Sequence, residues 1–396
     1  MSATKIKMLN YSVVSTLICC GILFIYISFY KKGKKIHIED IALSILLIVI
    51  SSLRYGMGSD YFRYLESASR WARLFSSNVQ SLFTADVLQT YSYEIGYKLL
   101  SVISYKISDS PYTIFWLVSI ITYFPLVLYS RKHTEDSRVA IAIYLLFGYW
   151  GLSLNAIDQS IAMIFILLAK NAIDNKKYVV GTLLILCAEM FHTTAIVAAT
   201  LIILSNVVVI KSFFEPTKRN LLLMIVIGLT LKAALDFLLN IASNFSLFAQ
   251  YSNYTDTGVS EKITRKYMMI GAFIETLLVV VILYLSIKKL EKDIKNKYQL
   301  SQMISVVMIG IPFSIIGISG SDWLWLSNRF AEYFFLFLIV LIPEMIHNSN
   351  TGIQRGIIKI EKKRASFWVA MVVWHAIFAV VMFNNNQFVI DTYLFK

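Results

Sequence analysis

The chain has 396 residues, of which 57% are hydrophobic and only 15% are charged, and its formal net charge is +13. A soluble domain of this length needs more charged surface. The three cysteines all lie inside apolar runs, which argues against a disulfide framework and against a zinc site. The composition therefore excludes an ordinary soluble domain and predicts one integral membrane domain over residues 1–396.

Apolar runs of roughly 20 residues, long enough to cross a bilayer as helices, recur along the chain. We predict an all-α, polytopic transmembrane helical bundle of about 12 spans. The first span is too long for a cleaved signal peptide and is expected to remain as an anchor. In chain order the predicted spans are 9–30, 36–53, 111–130, 138–154, 156–173, 178–190, 191–210, 220–240, 267–287, 299–318, 326–346 and 366–384.

The basic residues between these spans give the predicted orientation. Simple alternation puts 22 of the 37 lysines and arginines on one side, which the positive-inside rule makes cytoplasmic. Two external segments remain, about 54–110 and 241–266, and both termini lie outside. A further span at 91–106 would invert the rest of the chain and lose this agreement. The charge distribution indicates a multi-pass membrane protein, in contact with membrane lipid and not with nucleic acid.

The first external segment begins with the string Arg54-Tyr55-Gly56-Met57-Gly58-Ser59-Asp60-Tyr61. Two glycines around one residue allow a tight turn whose amides can form an anion-binding nest. An arginine fork binds phosphate or carboxylate bidentately. The bend is therefore a candidate anion site at the membrane surface. External arginines can equally pair with nearby carboxylates or reach lipid headgroups.

The residues that follow have the spacing of an amphipathic helix. Tyrosine and tryptophan on the apolar face suit the membrane interface, so we expect a helix that lies on the outer leaflet. The apolar face carries Tyr61, Tyr64, Ala68, Trp71 and Phe75, and the polar face carries Arg63, Glu66, Arg70 and Arg73.

The string from Arg54 to Tyr61 resembles the R-x-G-x-G-[TS]-D-Y motif of the EpsG family, which are Wzy-like bacterial polysaccharide polymerases. Three later segments are similar to family motifs in the same order: residues 154–162 to L-N-x-x-R-Q-x-x-A, 188–195 to A-x-x-F-H-x-[ST]-A, and 328–334 to R-x-x-x-Y-F. Asp158 stands where the family usually has arginine. If that arginine binds a phosphate or sugar in the family, this chain has lost or relocated the contact.

The resemblance implies that oligosaccharide repeat units carried on undecaprenyl pyrophosphate are polymerised into exopolysaccharide, capsule or O-antigen. It places this glycosyl transfer at the outer face of the cytoplasmic membrane, with a flippase and a chain-length regulator as partners. No cofactor and no metal are implied. Substrate binding carries over to the matching residues Arg54, Gly56, Gly58, Tyr61, Asn155, Gln159, Arg329 and Tyr333.

A sugar hydroxyl that attacks as a nucleophile benefits from a base that titrates near the working pH. His192, at the predicted outer turn, and Asp60 are the candidate catalytic residues. Each also has a structural interpretation. His192 can be a hydrogen-bonded histidine of the bundle, and Asp60 can be the partner of Arg54.

Two other functions need a similar sequence. A flippase or transporter of lipid-linked glycan also uses many spans and arginines, and a non-catalytic component of a glycan-export complex would tolerate Asp158. Transporters commonly show internal repeats and binding groups at the midplane. The chain has no clear repeat, and its conspicuous arginines lie at one predicted surface. Polymerisation is therefore the favoured interpretation.

Overall fold

The computed structural model describes residues 17–31, 33–56, 60–78, 80, 94–134, 136–205, 211–242, 259–291, 297–318 and 323–347. Within these ranges every regular element is a helix, and the chain divides into two compact units, the first up to Ala199 and the second from Thr200. The predicted span 366–384 and most of the predicted external segment 241–266 lie outside the described residues.

The first unit contains the helices up to α9 and the first half of α10. These are α1 (Leu17–Phe29), α2 (Ile38–Ser52), α3 (Tyr61–Phe75), α4 (Ile95–Ile107), α5 (Thr113–His133), α6 (Ser137–Leu146), α7 (Tyr149–Asn155), α8 (Ile157–Asp174), α9 (Tyr178–Phe191) and α10 (Thr194–Leu204). The second unit contains α11 (Lys211–Phe214), α12 (Lys218–Ala242), α13 (Val259–Leu290), α14 (Lys297–Gly317), α15 (Trp323–Phe335) and α16 (Leu338–His347).

Three of the described helices are long and apolar enough to cross a membrane: Thr113–His133, Met269–Leu290 and Tyr298–Gly317. A fourth is added if α6 and α7, which are bent by 54°, count as one span. Their bend is at Gly148, whose φ of 98° is in the left-handed region that glycine adopts without strain. These helices confirm a membrane helical protein, and the remaining spans stay predictions.

The amphipathic helix predicted after residue 60 is confirmed as α3, but the prediction that its apolar face lies on lipid was wrong. Tyr61, Trp71 and Phe75 are each no more than 6% exposed, and they share one core cluster with Tyr97 of α4 and Phe115 of α5. Aromatic side chains suit a protein core as well as an interface. The helix is therefore held by the bundle, and its arginines face away from the core.

One end of the first unit is fixed by a buried ion pair. Arg131, at the end of α5, donates from Nε to both carboxylate oxygens of Asp40 at 2.7 and 2.8 Å, and from Nη1 to the Lys31 carbonyl at 2.6 Å. Both side chains are fully buried. The pair joins the start of α2 to the end of α5. Lys31 and Arg131 thus lie at the same end of the first unit, while the predicted topology of the membrane stays a prediction.

Candidate functional site

Arg54 follows the last turn of α2 and is only 2% exposed. Its Nη1 donates to the Ser51 carbonyl at 2.8 Å, and its Nη2 donates to the Leu154 carbonyl at 3.2 Å. These carbonyls are at the C-terminal ends of α2 and α7, where oxygens lack intrahelical donors and the helix dipole is negative. The guanidinium carbon is 4.5 Å from the centre of the Phe115 ring. Arg54 thus joins two helix ends.

The turn after Arg54 has the conformation that the glycines predicted, as far as it is described. Gly56 has φ +63°, in the left-handed region that a side chain would strain. A Cβ there would be 3.7 Å from the Phe62 ring, so backbone conformation and not space requires the glycine. Gly58, the other predicted glycine, lies outside the described residues.

Asp60, which precedes α3, lies next to Asn155, the last residue of α7 before the break to α8. The backbone N–H of Asp60 donates to Oδ1 of Asn155 at 3.2 Å. Asp60 is half-buried, and its carboxylate does not cap α3, which begins at the next residue. Arg54, six residues earlier, donates to backbone carbonyls and lies against aromatic rings.

Tyr61 is fully buried, and its ring stacks on Phe115 with centroids 4.8 Å apart. Within the described part of the chain its hydroxyl has no hydrogen-bond partner. Burial raises the pKa of Tyr61 to about 12, although the nearby charge of Arg54 opposes the shift. The phenol therefore stays protonated. A buried hydroxyl without a partner is costly, and a polar ligand atom would remove that cost.

The segment that carries the departure from the family pattern forms the first turn of α8. Asp158 is 6% exposed and Gln159 is 1% exposed. A carboxylate in the first turn is stabilised by the positive end of the helix dipole. The amide of Gln159 points along its own helix, with Nε2 3.9 Å from Sδ of Met163. Gln159, a predicted substrate-binding residue, and Asp158, which stands in place of the usual arginine, are thus both buried inside the bundle.

His192 directly follows α9, and its Nδ1 lies 3.0 Å from Oε1 of Glu94. The side chains are 16% and 19% exposed, so water screens the pair weakly. The Nε2 atom of His192 is buried and finds no hydrogen-bond partner among the described residues. Glu94 thus binds Nδ1 of the imidazole, and Nε2 is available to bind another group. Sequence reasoning identified His192 and missed Glu94.

The contact between Glu94 and His192 depends on the close packing of α4 on α9. A Cβ placed on Gly96 would lie 2.8 Å from the Met190 carbonyl oxygen and 3.0 Å from the Phe191 ring. Only a glycine permits this approach, and it lies two residues after Glu94. The sequence signal that could have identified Glu94 is a carboxylate followed by a glycine in the first turn of a helix.

Lys98 is one turn beyond Glu94 on α4 and only 1% exposed. Its ammonium lies 5.3 Å from the centre of the Trp71 ring, within the range of a cation–π interaction. Burial lowers the pKa of Lys98, and the negative charge of Glu94 opposes that shift. Glu94 therefore interacts electrostatically with a buried lysine and also contacts an imidazole.

These two groups of residues, around Arg54 and around His192, belong to the same unit. The hydroxyl of Tyr97 in α4 donates to the Tyr64 carbonyl in α3 at 2.8 Å, and Phe191 stacks on Phe165 of α8. The same core cluster supports both groups. Arg329 and Tyr333 are in the second unit, one turn apart on α15, with Arg329 half-buried and Tyr333 1% exposed.

Comparison with known proteins adds one match. A family model described as the EpsG family matches residues 38–394, which is nearly the whole chain. No curated protein and no solved structure matches the chain.

Proposed function

Since the chain belongs to the EpsG family, whose members are Wzy-like polysaccharide polymerases, we propose that it polymerises repeat units carried on undecaprenyl pyrophosphate. The family gives the general role, a polysaccharide polymerase of exopolysaccharide biosynthesis in the membrane. The carrier, the outward-facing site and the residue roles are our proposal. Exopolysaccharide, capsule and O-antigen are all products of such a reaction.

The proposed reaction is a glycosyl transfer. A hydroxyl oxygen of the incoming repeat unit attacks the anomeric carbon of the growing chain, and the bond from that carbon to the pyrophosphate oxygen breaks. Undecaprenyl pyrophosphate leaves with the electron pair, while the hydroxyl proton passes to a base of the protein. Each turnover lengthens the glycan by one unit and releases one carrier lipid.

The observation that carries the proposal is the state of His192. Its Nδ1 is held by Glu94, and its Nε2 is buried without a partner among the described residues. An imidazole held in this way can take the proton of an acceptor hydroxyl at Nε2. Asp60 is the second candidate catalytic group, since its carboxylate does not cap α3.

We propose that the group around Arg54 supports the leaving-group end of the site. The buried guanidinium lies two residues before the turn at Gly56 and adds positive charge near Tyr61, whose hydroxyl is available to donate. Arg54 then stabilises the pyrophosphate through its charge, while Nη1 and Nη2 each bind one backbone carbonyl. Charge neutralisation by the protein requires no metal.

The test is elongation by the purified protein. The protein is reconstituted in liposomes with a synthetic repeat unit on undecaprenyl pyrophosphate, and glycan length is measured with and without EDTA. We expect a ladder of products under both conditions, without movement of labelled lipid between leaflets. Movement of the lipid without elongation would identify a flippase and overturn the proposal. Absence of both would identify a non-catalytic component.

A further inference from the structure

We propose that Glu94 is the positioning residue of the polymerase site, which holds the imidazole of His192 so that Nε2 receives the acceptor proton. The inference rests on the proposed function, because it gives Glu94 a role in that reaction. Glu94 belongs to none of the segments that resemble the family motifs, and its role follows from the contact between α4 and α9.

The geometry selects one tautomer of the histidine. A carboxylate only accepts hydrogen bonds, so the atom that faces Oε1 of Glu94 at 3.0 Å must be a protonated Nδ1. In a neutral imidazole the proton is then absent from Nε2, which carries the lone pair that a base needs. Without Glu94 both tautomers and several ring orientations become available, and only some of them present a base.

The charge of Glu94 also favours the product of proton transfer. When Nε2 takes a proton the imidazole becomes positive, and a carboxylate 3.0 Å away stabilises it. Both side chains are less than one-fifth exposed, so the interaction is stronger than in bulk water. This stabilisation exists only after the proton has moved, and therefore acts on the rate and not on the binding of the repeat unit.

Two neighbours on α4 affect the surroundings of Glu94. Gly96 lets α4 approach the end of α9, and the charge of Lys98, a buried residue one turn away, interacts with that of Glu94. A simple surface ion pair would show neither the close backbone approach nor the buried lysine. Glu66 and Arg70 on α3 are such a surface pair, with side chains 73% and 54% exposed.

A double-mutant cycle tests this role in the reconstituted protein. The variants are Glu94→Ala, His192→Ala and both together, with Glu66→Ala as the control for loss of a carboxylate. We expect Glu94→Ala to lower kcat about 10- to 1000-fold with KM within about twofold. Glu94→Gln keeps an acceptor oxygen but no charge, so its kcat is expected to lie between those of the wild type and Glu94→Ala. In the His192→Ala background, loss of Glu94 should have no further effect.

The proposal is overturned if Glu94→Ala keeps the wild-type kcat, or if it lowers kcat equally with and without His192. If His192→Ala itself keeps full activity, the base of the proposed function is wrong and the role of Glu94 is wrong with it.

A second measurement does not depend on activity. A ¹⁵N spectrum of histidine-labelled protein at pH 8, assigned by difference from His192→Ala, reports the tautomer of His192. We expect the Nδ1-protonated form in the wild type and a mixture in Glu94→Ala. An unchanged tautomer in Glu94→Ala overturns the positioning role, whether or not the protein polymerises glycan.

Discussion

Nδ1 of His192 lies 3.0 Å from Oε1 of Glu94, although 98 positions separate the two residues in the sequence. His192 directly follows α9 and Glu94 directly precedes α4, so the contact exists only when these two helices pack together. The candidate base and its partner therefore come from tertiary structure. Changes that separate these helices are expected to remove activity without touching either side chain.

The substitution Gly96→Ala tests this dependence. The added methyl would meet the Met190 carbonyl oxygen at 2.8 Å, so α4 and α9 must move apart. We expect a loss of about 1–3 kcal/mol in stability, as for other overpacked contacts, together with a large loss of polymerisation. Melting temperature in detergent and elongation rate are measured together. Gly21→Ala is the control, because a methyl at Gly21 meets nothing within 4 Å and is expected to be tolerated.

Replacement of Arg54 by lysine is expected to impair the protein much more than replacement of Arg73. Lysine cannot reach the Ser51 and Leu154 carbonyls together, so at least one buried carbonyl loses its donor, at a cost of about 1–3 kcal/mol. Arg73 is exposed, and among the described residues it donates to the Ser69 carbonyl of its own helix. Thermal stability and elongation rate of both variants check this. Equal effects would mean that Arg54 does not join α2 to α7.

Tyr61→Phe distinguishes a substrate-binding hydroxyl from a structural one. The hydroxyl has no partner among the described residues, so we expect its removal to leave the melting temperature unchanged. If it binds the repeat unit, KM rises about 10-fold, the equivalent of one hydrogen bond. Tyr26→Phe is the matched control. It loses bonds to Asp40 and Ser137 and is expected to lower the melting temperature with KM unchanged.

Asp40→Asn is expected to destabilise the protein strongly, because it leaves the buried charge of Arg131 without its carboxylate. Removal of one partner of a buried pair typically costs about 3–5 kcal/mol. Glu66→Gln breaks the exposed pair with Arg70 and is expected to cost less than about 1 kcal/mol. Melting temperatures in detergent compare the two. A small effect of Asp40→Asn would show that Arg131 is satisfied by the carboxylate of Glu39, 3.6 Å from its Nη2, and by its bonds to backbone carbonyls.

The local features of the chain could be predicted from its sequence. The periodicity after Asp60 predicts the helix α3, and the glycines predict the turn at Gly56. The apolar runs predict most of the described helices. Each of these features depends on residues a few positions apart, where spacing and backbone preference decide the structure.

The partners of these elements could not be predicted in the same way. The aromatic face of α3 suits lipid and protein alike, and only packing decides that α4 and α5 cover it. The pairs of Glu94 with His192 and of Asp40 with Arg131 are each separated by more than 90 positions. The sequence predicts Arg54 as a substrate-binding residue, which stays a prediction, but it does not show that Arg54 also joins the ends of α2 and α7. Such roles depend on which helices become neighbours.

Elongation by wild-type and His192→Ala protein, purified and reconstituted with the same lipid-linked repeat unit, shows whether His192 is the base of the polymerisation. His133→Gln, in the last turn of α5, controls for the loss of a histidine. We expect a ladder of glycan lengths for the wild type and for His133→Gln, and a rate about 100- to 10,000-fold lower for His192→Ala. A ladder from His192→Ala at the wild-type rate would mean that His192 is not the base.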